Sequence, residues 1–330
     1  MDQMKAIVIK KYGEPEVLQI ESRPVPRATP GTVVVRVRAF GLNHAEAYFR
    51  KGVWGEVAEI SGIECVGEVD DPGDSGLVRG QRVFALMGGM GRSINGSYAE
   101  LTRVPRTNVV PFSSTLDWTE LAAIPESYAT AWTFLHHNLE LSSGQSLVVR
   151  GGTSALGQAA IQLARSLEVR VLATTRSQAK APLLEKLGAE PLIERPDLSH
   201  ELRRQVPTGV DGVLDIIGTS TLLDSFRMAR YRGHVAMAGF LGGGAPLTFD
   251  PFMQLPSGVR FSFFASAFVF GSDDLPLSHI PFAEFVKHAE RGVLKMSPAH
   301  VFAFDEIVAA HGLMESGEAR GKIVVQAPER

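Results

Sequence analysis

The residues best suited to chemistry lie in one stretch, SLVVRGGTSALGQAAIQLAR, at positions 146–165. Apolar Leu147–Val149 runs into Gly151, Gly152, Thr153 and Ser154, after which Ala155, Leu156 and Gly157 open a helical pattern. Glycines there let backbone approach a pyrophosphate, and a helix start adds unpaired N–H groups and the positive end of a dipole. The spacing is Gly151-x-x-Ser154-x-x-Gly157, not the strict G-x-G-x-x-G. The glycines alone also fit a tight strand–helix turn that holds no ligand. The strand before them and the helix after them favour a dinucleotide.

The second informative stretch is VLATTRSQAK. An NAD site carries an acid about 20 residues beyond the glycines, at the end of the next strand, where it bonds the ribose 2′-hydroxyl. Thr175 stands at that place here, followed by Arg176, Ser177 and Lys180. A 2′-phosphate calls for cations and hydroxyl donors, and an acid would repel it. These residues predict NADPH rather than NADH. The competing reading is a solvated helix start, which the mild penalty for cations at a helix N-terminus disfavours.

The elements that position these residues show in the hydrophobic pattern. Strands are expected at Ser146–Arg150, Val169–Thr174, Gly212–Ile216 and His234–Ala238. Helices are expected at Ala155–Leu167, Gln178–Leu187 (closed by Gly188) and Thr221–Arg230. Such alternation means a parallel sheet with helices on both faces. The first ~120 residues read instead as an antiparallel β region, with Lys5–Ile9, Thr32–Ala39, Gln81–Leu86 and Gly96–Leu101 as its strands. Trp118–Leu139 has helical spacing, and Phe261–Phe270 reads as a buried strand. The tail closes with a strand at Lys322–Gln326 and is expected to pack back on the first domain.

Composition bounds the function. The chain has 330 residues, 45% apolar, with a formal net charge of −3. That balance offers no positive field for nucleic acid or an anionic membrane. No window is long and apolar enough for a membrane span, and the first residues lack the layout of a secretory signal, so a cytoplasmic location is expected. The single cysteine, Cys65, excludes an intramolecular disulfide and a four-cysteine zinc site. Its setting, ISGIECVGEV, reads as a small buried hydrophobe.

VVVRVRAFGLNHAEAYFRKG, GIECVGEV, GSYAELTRVP, SYATAW, GGTSALGQAAIQLA and MESGEARGKIVV together carry a resemblance. The chain resembles the medium-chain dehydrogenase/reductase superfamily over essentially its whole length, and within it the quinone oxidoreductase or zeta-crystallin branch. The resemblance implies an α/β chain with two domains and catalysis in the cleft between them. A GroES-like β-barrel catalytic domain would be built from residues 1–122 and 268–330. A Rossmann doubly wound parallel-sheet domain for NADPH would occupy 123–267.

Zinc-dependent relatives carry a cysteine, then a His-Glu pair, then another cysteine. Those places look like Asn43, Ile63-Glu64 and a small residue near Ala129. Ile63 cannot bind a metal and Asn43 is a poor zinc ligand, so a metal-free site is expected. Asn43, Glu46 and Tyr48 match a family Asn-x-x-Asp-x-Tyr stretch, with Glu in place of Asp. The resemblance places Asn43 and Tyr48 beside the nicotinamide as catalytic residues, with Tyr48 donating to a developing oxyanion. Tyr48 also fits a plain packing role. By the same resemblance Thr130, Gly239, Phe240, Leu241, Phe264 and Lys322 lie near the coenzyme, and Phe264 to Phe268 forms a strand that pairs across a homodimer.

The implied activity is hydride transfer from NADPH to a quinone. Reduction of activated C=C bonds in enone or enoyl substrates is an alternative. So is a crystallin-like nucleotide-binding protein without relevant turnover.

Overall fold

The computed structural model describes residues 2–328; residues 1, 329 and 330, the outer ends of the expected first domain, lie outside the described residues. Two compact units form: Met1–Ala129 with Ser266–Arg330, and Thr130–Ala265.

The first unit opens with β1 (Gln3–Ile9) paired antiparallel to β2 (Leu18–Pro24). Then come β3 (Thr32–Gly41), α1 (His44–Arg50), β4 (Glu64–Asp71), β5 (Arg82–Leu86), β6 (Leu101–Pro105) and β7 (Val109–Pro111). From Val35 to Ala39 in β3, TVVVRVRAFG, the alternate residues Val35, Val37 and Ala39 are buried. Arg36 and Arg38 between them reach Asp70 and Glu68 on β4. That division of faces is the two-residue period of a half-buried strand.

The strand expected at Gly96–Leu101 is displaced, because ladder pairing starts only at Leu101. The N–H groups of Gly96, Ser97 and Tyr98 donate to the carbonyls of Ile60, Gly62 and Ser61 instead. A Cβ on Gly96 would meet the Gly62 carbonyl oxygen at 2.1 Å, so glycine permits this irregular crossing. The helical stretch after Asp117 is also broken, into α2 (Trp118–Leu121), α3 (Pro125–Thr133) and a π-wound turn at Phe134–Asn138. Pro125 has no N–H to continue α2 and is favoured as a helix opener.

The second unit alternates β8 (Ser146–Arg150), α4 (Ala155–Ser166), β9 (Arg170–Thr175), α5 (Ala181–Lys186), β10 (Glu190–Ile193), α6 (Leu198–Gln205), β11 (Val210–Asp215), α7 (Leu222–Met228) and β12 (Ala229–Met237). After α8 (Pro251–Gln254) comes β13 (Arg260–Phe263). All six strands run parallel in the order β10-β9-β8-β11-β12-β13. Val148, Leu172, Val213, Phe226 and Val235 are part of its core. Chain order reverses at β8, the place where open α/β sheets bind ligands beyond their strand ends.

The expected buried strand Phe261–Phe270 is corrected. β13 ends at Phe263, and Ser266–Val269 is helix α9. Phe261 and Phe263 are 42% and 48% exposed. The reason is position: β13 is the last strand of its sheet, with a partner on one side only.

The tail continues with α10 (Phe282–Glu290), β14 (His300–Ala303), α11 (Ile307–Ser316) and β15 (Ile323–Gln326). β14 pairs parallel with β15, and β15 pairs antiparallel with β3. The first unit's seven-stranded sheet therefore uses both ends of the chain, in the order β14-β15-β3-β4-β5-β7, with β6 also on β3.

Candidate active site

The turn between β8 and α4 is a backbone cradle. Gly151 has φ +88° and donates its N–H to Thr174 Oγ1 at 3.0 Å. Gly152 donates to the Thr174 carbonyl at 3.0 Å. Ser154 caps α4: its Oγ accepts from Gly157 N–H at 3.0 Å and donates to the Gly151 carbonyl at 2.8 Å. The N–H groups of Ala155 and Leu156 open the helix and are left for an anion. A Cβ on Gly157 would lie 2.4 Å from the Gly151 carbonyl oxygen. A Cβ on Gly151 would sit 3.7 Å from Leu241 Cδ1, which places the Leu241 side chain beside the turn. Leu241 N–H in turn donates to the Ile216 carbonyl at 3.3 Å. Small residues, a capped helix start and free N–H groups fit a pyrophosphate.

At the end of β9, Thr175 is buried, and its Oγ1 accepts from Ser177 N–H at 3.3 Å. Arg176 is exposed, and Ser177 and Lys180 are half-buried. Thr130 is buried within α3, whereas Thr153, Gly239 and Phe240 are half-buried. Phe264 lies just beyond β13, edge-on to Phe134 at 5.4 Å between centroids.

One feature of this edge escaped sequence reasoning. Arg150, the last residue of β8, is almost wholly buried among acids. Its guanidinium pairs with Glu194 and Asp224 and donates to Ser225 Oγ at 3.1 Å and the Thr221 carbonyl at 3.2 Å. Asp215 lies near. It accepts from Ile217 N–H, Gly218 N–H, Thr221 Oγ1 and Ser225 Oγ at 2.6–3.0 Å. Burial pushes the Asp215 carboxyl up, with those bonds pulling against the shift. A charged residue closing the apolar run SLVV was the available signal.

In the first unit, the expected catalytic residues sit on or before α1. Asn43 is its N-cap residue, and its N–H donates to the Glu46 carboxylate. The Asn43 side-chain NH2 donates to Glu64 Oε1 at 2.9 Å, and its Oδ1 accepts from Lys322 Nζ at 2.7 Å. Lys322 also bonds Glu64 Oε1 directly. Glu64 Oε2 accepts from Glu126 N–H at 2.8 Å, so it also ties down the start of α3. The structure thus joins Asn43, Glu46, Glu64 and Lys322 in one buried network. Burial pushes the Glu46 carboxyl up to about 8, while Lys322 draws it down.

Tyr48, further along α1, is half-buried and packs on Trp54 at 4.8 Å. Burial raises its phenol, so it stays protonated at neutral pH. Ile63 and Cys65 are buried, and burial raises the Cys65 thiol. His136 and His137 both pack on Trp132, at 4.7 and 5.1 Å. Among the described residues, no group of three or more His, Cys, Asp or Glu could hold a metal ion, and no helix is long and apolar enough to cross a membrane.

Comparison with known proteins places this arrangement. Residues 29–114 match the alcohol dehydrogenase GroES-like domain, and residues 155–276 match a domain described as zinc-binding dehydrogenase. A probable quinone oxidoreductase of Schizosaccharomyces pombe is 27% identical over 332 residues, covering 98% of this chain and 97% of that one. The Mus musculus quinone oxidoreductase is 27% identical over 261 residues, 75% of this chain and 76% of that protein. Among solved structures, a Pseudomonas syringae quinone oxidoreductase superposes with a TM-score of 0.88 at 23% identity, covering 98% and 99% of the two chains. With the GroES-like and Rossmann folds both present, this chain belongs to the medium-chain dehydrogenase/reductase superfamily, in its quinone oxidoreductase branch.

Proposed function

We propose that the protein is an NADPH-dependent, metal-free reductase of quinones. The observation that carries the coenzyme half is the end of β9, where Thr175, Arg176 and Ser177 stand and no acid does. The quinone half rests on the relatives named above. Gly151, Gly152, Thr153, Ser154, Ala155, Leu156 and Gly157 would hold the pyrophosphate, and Thr175, Arg176, Ser177 and Lys180 the 2′-phosphate. Thr130, Gly239, Phe240, Leu241 and Phe264 would line the nicotinamide end. When bound, the coenzyme supplies a hydride.

The chain's own residues supply placement and charge stabilisation. Tyr48, with its phenol protonated, donates to the acceptor oxygen. Asn43 caps α1 and so sets where Tyr48 stands. Lys322, expected beside the coenzyme, acts by neutralising Glu64 and holding the Asn43 amide. The metal-free reading is supported by Ile63, which has no donor atom, and by the ammonium already on Asn43 Oδ1.

The test is coenzyme oxidation over a panel of quinones and enones, with a chelator present. Turnover of quinones that survives chelation is expected. Turnover of enones alone would move the substrate to activated C=C bonds, and no turnover at all would leave only a binding protein. Zinc-dependent activity would overturn the metal-free reading.

Arg176→Ala should weaken NADPH binding about 10- to 150-fold, the worth of one charge-assisted bond of ~1.5–3 kcal/mol. NADH binding should hardly change, because the two coenzymes differ only at the 2′ position. Titration of both coenzymes against both proteins decides it, and equal weakening would mean that Arg176 serves the fold or the pyrophosphate.

The unpaired side of β13 also supports a homodimer, since an exposed apolar edge strand invites its twin. Light scattering should find a dimer at micromolar concentration, with Phe261→Lys shifting it towards monomer. A wild type that stays monomeric would rule this out.

A further inference from the structure

We propose that Arg150 sets coenzyme preference by sequestering the Glu194 carboxylate, which would otherwise act on the ribose 2′ position. The inference rests on the NADPH reading above. Ile193, the last residue of β10, pairs with Thr175, and Glu194 follows it. Glu194 N–H donates to the Thr175 carbonyl at 2.8 Å. A carboxylate is therefore carried on backbone joined directly to the residue that replaces the NAD-type acid. Free, Glu194 would repel a 2′-phosphate and would offer an acceptor to a 2′-hydroxyl.

Arg150 prevents this with a two-pronged contact. Its Nε donates to Glu194 Oε2 at 3.2 Å, and its Nη2 donates to Oε1. The planar fork holds both carboxylate oxygens at once. Its remaining terminal nitrogen, Nη1, is held by α7 and the loop before it: Asp224 Oδ2 at 2.9 Å, Ser225 Oγ and the Thr221 carbonyl. The guanidinium therefore cannot swing away to follow solvent. With side-chain exposures of 2% for Arg150 and 13% for Glu194, little water screens the pair. Arg150 touches no residue of the glycine turn through its side chain in these contacts, so it acts through Glu194 as a positioning residue.

The test compares NADPH and NADH dissociation constants for wild type, Arg150→Met, Glu194→Gln and the double variant, with circular dichroism to check folding. Arg150→Met should lower the NADPH-over-NADH preference at least about tenfold, and the double variant should restore it to within about threefold of wild type. Rescue by removing a second residue is not what a merely structural role for Arg150 would give. Glu194→Gln alone should leave the preference within about twofold of wild type, because its charge is already neutralised.

An Arg150→Met preference equal to wild type, or a double variant that stays impaired, overturns the proposal. If Arg150→Met does not fold, Glu194→Gln still decides: a large gain in NADPH preference would show an unmasked acid in the wild type. A wild type that prefers NADH overturns the coenzyme reading and this inference with it, and that is visible before any variant is made.

Discussion

Replacing Gly157 with alanine is expected to unseat the coenzyme and to destabilise the second unit. The added methyl would lie 2.4 Å from the Gly151 carbonyl oxygen and 2.8 Å from Gly152 Cα. Both are backbone atoms, so no rotamer change relieves the clash. Either α4 or the turn must move, and both belong to the proposed phosphate cradle. Overpacking typically destabilises by about 1–3 kcal/mol, and the upper end applies where backbone must give. The coenzyme should bind at least about tenfold more weakly. The contrast is Gly312→Ala in α11, where nothing lies within 4 Å of the new methyl. There alanine should stabilise by about 0.5–1 kcal/mol through helix propensity. Thermal melts with and without coenzyme measure both, and a Gly157→Ala protein that melts and binds like wild type would remove the close-packing argument.

Glu46 should make stability fall as pH rises from about 5 to 8, while the lowered imidazoles of His44, His136 and His311 pull the other way below about 6.5. The folded Glu46 carboxyl is raised from an ordinary 4.5 to about 8, burial being the largest cause. Below the unfolded value both states hold the proton, and the contribution is fully present. Between the two values only the folded state holds it, so unfolding releases a proton and rising pH favours unfolding. The slope is about 1.4 kcal/mol per pH unit for one such group, and it vanishes above the folded value. Glu46→Gln removes the titration, so the wild type should lose melting temperature relative to the variant as pH rises across that window. The readout is the slope, since the variant's absolute stability also changes with its hydrogen bonds to Asn43 and Ile63. Parallel curves for the two proteins would show that Glu46 is not the titrating group.

The legible and illegible parts of this molecule divide by distance along the chain. The glycine turn, the helix behind it and the basic end of β9 lie within about 35 residues, and residue type alone carries their chemistry: small where backbone must approach, cationic where phosphate is expected. The strand Ser146–Arg150 matches its expected range for the same reason. Phe261–Phe270 misled because an aromatic run reads alike in a core and at a sheet edge. Only the strand order shows that β13 has one neighbour. The Asn43 network was hidden more deeply, since Lys322 and Asn43 are 279 positions apart. Glu194 and Asp224 likewise reach Arg150 from 44 and 74 positions away. A motif could suggest the individual residues, but not that Asn43 would have its amide bound by Glu64 and Lys322.

The pairing of β15 with β3 sets the order in which the chain can acquire its structure during synthesis. The second unit is one continuous stretch, Thr130–Ala265, and its strands find partners in nearby sequence. It can close while the ribosome is still adding the tail. β3 has to wait for a partner about 285 residues downstream, whose Val324 and Val325 meet Gly41 and Phe40. Until then the Ala39–Gly41 end of β3 presents open hydrogen-bonding groups on one side, and the Lys322 ammonium has not reached Glu64. The nascent chain thus carries a finished second unit and an unfinished first one. Its period of greatest exposure to misassociation falls in the interval before the last strand emerges.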